Sequence, residues 1–237
     1  MALAKSDRTL ECVGGGLGAL NGEAADRLAA MSRVINVPAG RPVMMEGAPA
    51  AELFSVSQGI VSVFKLMPDG RRQITGFLYP GSFLGVTFNA ETTYAYSADA
   101  VTAVMLRAYP RRDFERLLDE VPGVRRAFIA AMADELTEAQ DRMLLLAHRS
   151  ASERLACFLL TLARRQAGPA GEPVDTLFIP MRGSDIADYL GLTAETVSRT
   201  LAVFRRKTII RTDRGGSIGI LDRAALEGLA GPLLRRI

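Results

Sequence analysis

The 237-residue sequence contains one histidine and two cysteines. Two cysteines, Cys12 and Cys157, provide no disulfide framework and suit a reducing compartment. His148 alone cannot assemble a zinc site, and any histidine-based nucleophile–base pair would have to use it. No G-x-x-x-x-G-K-[ST] phosphate loop occurs. The glycines between Gly14 and Gly18 lack the preceding strand that a dinucleotide fingerprint requires. Long apolar runs are also missing. The longest uncharged stretch, Gln73 to Ala90, is broken by Gly76, Pro80, Gly81 and Gly85, so it reads as strands and turns rather than a membrane helix. Lys5, Asp7, Arg8 and Glu11 interrupt the N-terminus, and no secretory signal is expected. These absences argue against an enzyme, a metal site or a membrane association, and for a cytoplasmic location.

The chain has a hydrophobic content of 49%, enough for substantial cores, and a formal net charge of +3. That charge is unevenly placed. From Thr176 to Ile237 there are ten Lys/Arg against six Asp/Glu, so the C-terminal quarter carries the whole excess. A basic end beside a near-neutral remainder fits contact with nucleic-acid phosphates.

Periodicity divides the chain into a tail (1–20), a β-rich domain (21–120), a long helix (121–148) and a C-terminal domain (149–237). Asn21 to Arg33 reads as a helix, with Asn21 as cap and Ala24, Leu28 and Met31 at helical spacing. From Val34 to Arg107, short β-rich runs alternate with the turn signals Pro38-Ala39-Gly40, Gln58-Gly59, Pro68-Asp69-Gly70 and Pro80-Gly81. About eight strands at this spacing predict a jelly-roll-like barrel. Ile129, Met132, Leu136, Ala139, Met143 and Leu146 then alternate three and four apart, the seam of a coiled coil. Ala151 to Gln166 is a second amphipathic helix, followed by a loop at 168–173. Leu177 to Pro180 reads as a short strand. Ile209 to Thr212 and Ser217 to Ile220 flank Asp213-Arg214-Gly215-Gly216 as a hairpin, and a final helix is expected from Arg223 to Arg236. The predicted fold class is α+β.

The segment from Ser184 to Arg199 carries the most information. Ile186, Ala187 and Leu190 share one helical face; Val197, Leu201 and Phe204 share another; Gly191-Leu192-Thr193 is a tight turn between the two helices. Thr193 is a good N-cap for the second helix. Glu195, Ser198 and Arg199 fall together on its opposite face. Arginine suits guanine N7 and O6, and glutamate accepts from cytosine N4, so this face is suited to a major groove.

The run Asp185-Ile186-Ala187-Asp188-Tyr189-Leu190-Gly191-Leu192-Thr193-Ala194-Glu195-Thr196-Val197-Ser198-Arg199-Thr200-Leu201 resembles the helix-turn-helix of the CRP/FNR family of bacterial transcription regulators, most closely its FNR/FixK branch. The likeness is dense over about 182–212 and looser, but in order, from about residue 30 onward. The branch's E-x-x-S-R pattern matches Glu195, Ser198 and Arg199. The catabolite-activator branch instead has Arg before that Glu and Gly in place of Ser198; here Ala194 precedes the Glu. The resemblance implies an N-terminal β-roll like a cyclic-nucleotide-binding domain, a long dimerisation helix and a C-terminal winged helix-turn-helix. It also implies a homodimer on double-stranded DNA, reading an inverted repeat of TTGAT half-sites as an activator with RNA polymerase holoenzyme as partner. Charge and position make Arg182, Thr193, Thr196, Arg205, Arg206, Lys207, Arg211 and Arg214 candidates for phosphate contact.

The family's two common signals look absent. Nucleotide-binding relatives carry Gly-Glu and a later Arg-Ser-Ala; here Phe83-Leu84-Gly85-Val86 and Tyr96-Ser97-Ala98 place Val86 for the carboxylate and Tyr96 for the arginine. An apolar chain cannot accept from a ribose, and a neutral phenol is a poor phosphate partner. An iron–sulfur cluster needs four cysteines. Cys12 is left as a candidate redox thiol, and Cys157, amid Leu155 to Leu159, reads as a buried, inert thiol. His148 is not in an obvious heme pocket. No cofactor is expected. The rival reading is a ligand- or heme-gated sensor, with Phe83, Phe88, Tyr94 and Tyr96 lining a small pocket.

Overall fold

The computed structural model describes residues 23–86, 93–167, 174–213 and 216–231. The chain opens with α1 (Glu23–Met31), which buries Leu28. Eight strands follow: β1 (Arg33–Val37), β2 (Pro42–Met44), β3 (Glu52–Gln58), β4 (Val61–Leu66), β5 (Arg72–Leu78), β6 (Phe83–Leu84), β7 (Ser97–Ala100) and β8 (Val104–Pro110). They form two antiparallel sheets, ordered β1-β8-β3-β6 and β2-β7-β4-β5. Alternating side chains from both sheets meet between them: Val56, Leu84, Leu106 and Ala108 from one, Val61, Val63, Leu78 and Ala98 from the other. Period-two patterning produces this, because successive strand residues point to opposite faces. Gly59 makes the β3–β4 turn at φ 84°, where a Cβ would lie 2.4 Å from the Ala103 carbonyl oxygen. Only glycine fits there.

Two helices leave the roll. α2 (Arg111–Glu120) leads to α3 (Pro122–His148), which starts with proline in its first turn, where the missing N–H costs nothing. Phe114, Val124 and Phe128 pack on Phe83 and Tyr109 of the roll. The Phe114–Phe128 and Phe83–Phe128 rings meet edge to face at 5.2 and 5.3 Å, a preferred aromatic geometry. This anchors the first two turns of α3; later turns lie against the C-terminal domain, where Leu145 joins the core, Arg142 stacks on Tyr189 and Glu138 pairs with Arg165.

The C-terminal domain comprises α4 (Ala151–Arg165), β9 (Thr176–Leu177), α5 (Gly183–Tyr189), α6 (Ala194–Arg206), β10 (Ile210–Thr212), β11 (Ile218–Ile220) and α7 (Arg223–Ala230). The strands form one sheet, β10-β11-β9. A capping box starts α4: the Ser150 hydroxyl accepts from the Glu153 N–H, and the Glu153 carboxylate accepts from the Ser150 N–H. Leu155, Leu159, Leu162, Leu190, Phe204 and Leu226 are nearly or wholly buried in this domain's core.

Three expected boundaries shift. The first helix ends at Met31, and Arg33 instead opens β1 by pairing with Ala108. The strand expected over Leu177–Pro180 is Thr176–Leu177; only those two residues pair with β11, at Gly219 and Ile218. The last described helix ends at Ala230, where Gly231 turns at φ 68°. The tail with Cys12, the loop 168–173, Phe88, Arg214 and the terminal Arg235 and Arg236 lie outside the described residues. Among the described residues, no helix is long and apolar enough to cross a membrane.

Candidate nucleic-acid interface

α5 and α6 are joined by a turn at Gly191, whose φ of 60° is left-handed and favours glycine. The Leu192 N–H donates to the Ala187 carbonyl at 2.8 Å and closes α5. Thr193 then caps α6, its hydroxyl accepting from the Thr196 N–H at 3.1 Å. One face of α6 is held in the core by Val197, Thr200 and Phe204. The other carries Glu195, Ser198 and Arg199, all exposed. Arg199 lies 3.6 Å from Glu195, with both side chains at least 70% exposed. Such a pair is held by well under 1 kcal/mol, so both groups are available to a partner.

Other candidate contacts surround this face. Arg182 is exposed at the N-cap of α5, and Arg205, Arg206 and Lys207 are exposed at the end of α6. Arg211 projects from the wing and pairs with Asp213 at 3.1 Å. The Thr193 and Thr196 hydroxyls lie 2.9 Å apart and bond each other.

One organising residue escapes sequence reading. Arg154, on α4, donates to the Leu146 carbonyl near the end of α3, to the Arg149 carbonyl at the hinge, and to the Leu190 and Gly191 carbonyls in the helix-turn-helix turn, at 2.8–3.3 Å. One guanidinium thus satisfies the C-terminal carbonyls of two helices and ties the turn to the long helix. Nothing in the spacing of Arg154 distinguishes it from a solvated helix arginine.

Along α3, Ile129, Leu136, Met143 and Leu146 are exposed, the first three at 59%, 60% and 69%. The first three recur seven apart, Leu146 follows three further on, and together they form an open apolar stripe. Met132 instead packs against the Phe83–Phe114–Phe128 cluster, and Ala139 is half-buried.

Inside the roll, the Gly85 N–H donates to the Tyr96 hydroxyl at 3.0 Å, and Arg111 donates to the Gly85 carbonyl at 2.9 Å. The Tyr94 hydroxyl donates to the Glu52 carbonyl at 2.8 Å. Val86 packs with the Phe83 cluster. Burial pushes the Tyr96 phenol up, so it stays neutral. The residues at the two nucleotide-cassette positions therefore offer neither a carboxylate nor a cation. Among the described residues, no group of His, Cys, Asp and Glu is placed to hold a metal. Cys157 is buried, and burial pushes its thiol up, away from the reactive thiolate. His148 is exposed in the last turn of α3.

Comparison with known proteins agrees with this layout. The cyclic nucleotide-binding domain family matches residues 34–121, and the Crp-like helix-turn-helix domain family matches residues 153–229. The chain is 40% identical over 200 residues to the nitrogen fixation regulation protein FixK of Bradyrhizobium diazoefficiens, covering 84% of this chain and 83% of the relative. It is 34% identical over 197 residues to the transcriptional activator protein FnrL of Cereibacter sphaeroides, covering 81% and 78%. The solved structure of FixK2 from Bradyrhizobium japonicum superposes with a TM-score of 0.76 at 33% identity, covering 85% of this chain and 98% of that one. The relatives are regulators and not enzymes, and this chain belongs to the CRP/FNR family of DNA-binding transcription regulators.

Proposed function

We propose that the chain acts in the cytoplasm as a homodimeric activator of the FixK/FNR type, reading an inverted repeat of TTGAT half-sites without cyclic nucleotide or iron–sulfur cluster. The observation that carries this reading is the α6 face, where Glu195, Ser198 and Arg199 stand exposed on a helix whose other side is locked in the core. Arg199 pairs with guanine, Glu195 accepts from cytosine N4, and Ser198 adds an adaptable donor and acceptor. The cations Arg182, Arg205, Arg206, Lys207 and Arg211, together with the sequence candidate Arg214, hold phosphates and set register. Thr193 and Thr196 add hydroxyl donors at the start of the helix.

Dimerisation through the α3 stripe, along the seam Ile129, Met132, Leu136, Ala139, Met143 and Leu146, supplies the two-fold symmetry of a palindrome. Named activators among the relatives support activation, with RNA polymerase holoenzyme as partner. The hydrogen bonds that Tyr96 and Arg111 make to Gly85 favour operation without a nucleotide.

A gel shift on a TTGAT inverted repeat tests the reading. Arg199→Ala is expected to lose about 1–3 kcal/mol of specific affinity, and unchanged affinity would remove Arg199 from base reading. Leu136→Glu is expected to give a monomer in sedimentation. Cyclic AMP at ~100 times a typical dissociation constant would stabilise a binding protein by about 2.7 kcal/mol; the expected change in melting temperature is none.

A further inference from the structure

The first helix of the helix-turn-helix is bonded to the sensory roll. β5 is an edge strand of its sheet, so its outward N–H groups lack a ladder partner. α5 covers that edge. The Asp188 carboxylate accepts from the Ile74 N–H at 2.7 Å, and the Gln73 side chain donates to the Asp188 carbonyl at 2.9 Å. Arg72 bridges Asp99 of β7, at 3.0 Å, and Asp185 of α5, at 3.1 Å, with its guanidinium also 4.9 Å from the Phe64 ring centre. One turn on, the Tyr189 ring packs 5.1 Å from Phe77 of β5 and 6.0 Å from Phe158 of α4, with the Arg142 guanidinium 5.5 Å from its centre.

These contacts differ in kind from those of a solvated DNA-binding helix. Asp185 and Asp188 are carboxylates within a net-basic domain, and both are spent on the roll. α6 follows α5 after a short turn that Arg154 also grips. Any rotation of α5 on β5 must therefore carry the recognition helix with it.

We propose that β5 is a seat that sets the orientation of the helix-turn-helix, and that Arg72, Gln73, Asp185 and Asp188 are positioning residues selecting the spacing between operator half-sites. This rests on the inverted-repeat reading above. In a dimer, the second half-site is bound intramolecularly, and its effective concentration depends on how narrowly the second recognition helix is aimed. One inserted base pair moves the half-sites by about 3.4 Å. A seated helix-turn-helix penalises that shift, whereas an unseated one swings to follow it.

The test compares full-length wild type, Asp188→Ala and, from the roll side, Arg72→Ala. The second variant leaves the DNA-binding domain's own sequence untouched. Each is titrated against a single half-site, the native-spaced repeat and a repeat with one added base pair. Both variants are expected to keep half-site affinity. Both should lose roughly tenfold on the native spacing, about 1.4 kcal/mol, and with it most of the discrimination against the longer spacer. Intact half-site binding with unchanged spacing preference would overturn the seat. If wild type binds neither half-site nor repeat, the DNA reading fails instead, and amide exchange without DNA then judges the seat. The Ile74 amide should be protected in wild type and exchange at least tenfold faster in Arg72→Ala. Free exchange in wild type, or equal protection in the variant, overturns it.

Discussion

The outward face of α6 and the roll interior around Gly85 hold similar chemistry and put it to opposite uses. Each has an arginine beside polar side chains: Arg199 with Glu195 and Ser198 on α6, and Arg111 with Tyr96 at Gly85 in the roll. At α6, Arg199 faces only an exposed Glu195 at 3.6 Å, and the guanidinium keeps most of its donors. In the roll, Arg111 donates to the Ala50 and Gly85 carbonyls and Tyr96 accepts from the Gly85 N–H, so the backbone of the chain takes these groups. Residue type alone therefore does not make a binding site. The unspent hydrogen-bonding capacity does, and it survives where the other side of the element is anchored in a core.

Breaking that anchor should produce the largest effect. Phe204 is 1% exposed beneath the reading face, and Phe204→Ala should cost about 3–5 kcal/mol in urea unfolding of the C-terminal domain, abolishing specific DNA binding without touching a contact residue. On the roll side, Tyr96→Phe removes the acceptor for the Gly85 N–H. A loss of about 1–3 kcal/mol in thermal stability is expected, with half-site affinity unchanged. A stability equal to wild type would show that this hydrogen bond is not what closes the site. Thr193→Ala deletes the cap of α6 and should cost about 1 kcal/mol, read as lower helicity at the domain's transition; the helix loses its cap and one proposed phosphate donor, while the base-reading side chains remain.

The smallest expected effect is on pH dependence. Hydrogen bonds from the Ser150 side chain and backbone, followed by the Arg149 guanidinium, hold the Glu153 carboxyl at about 2 against its ordinary 4.5. A carboxyl lowered in the folded state stabilises fully above 4.5 and loses that contribution as pH falls toward 2. Glu153→Gln should therefore flatten acid unfolding of the C-terminal domain in that window and leave neutral-pH DNA binding unchanged.

Much of this organisation was legible along the chain because it is local. The helical spacing of Ile186, Ala187 and Leu190, and of Val197 and Phe204, marks the buried faces of α5 and α6, and Thr193 marks where α6 begins. The short β-rich runs Leu53 to Val56 and Ile60 to Phe64, bounded by turn signals, mark β3 and β4. The misplaced boundaries are those set by a distant partner. Arg33 is strand and not helix because β8 supplies its ladder. The strand after Thr176 stops at Leu177 because β11 pairs with only those two residues.

The candidate site divides in the same way. Glu195, Ser198 and Arg199 share a face by helical geometry alone, so a one-dimensional pattern was enough to find them. Arg154 and the seating of Asp188 on Ile74 could not be read that way, since each joins residues 36 and 114 positions apart. A weak signal did exist: two carboxylates, Asp185 and Asp188, sit in the positioning helix of a net-basic domain, where DNA phosphates would repel them.

By itself, the sequence determined which elements form and which faces they bury, because hydrophobic period and capping chemistry act within a few residues. Tertiary structure decided which polar groups are spent and which are left for a partner. That depends on which backbone N–H and carbonyl groups the fold brings within about 3 Å, a distance that no spacing along the chain encodes.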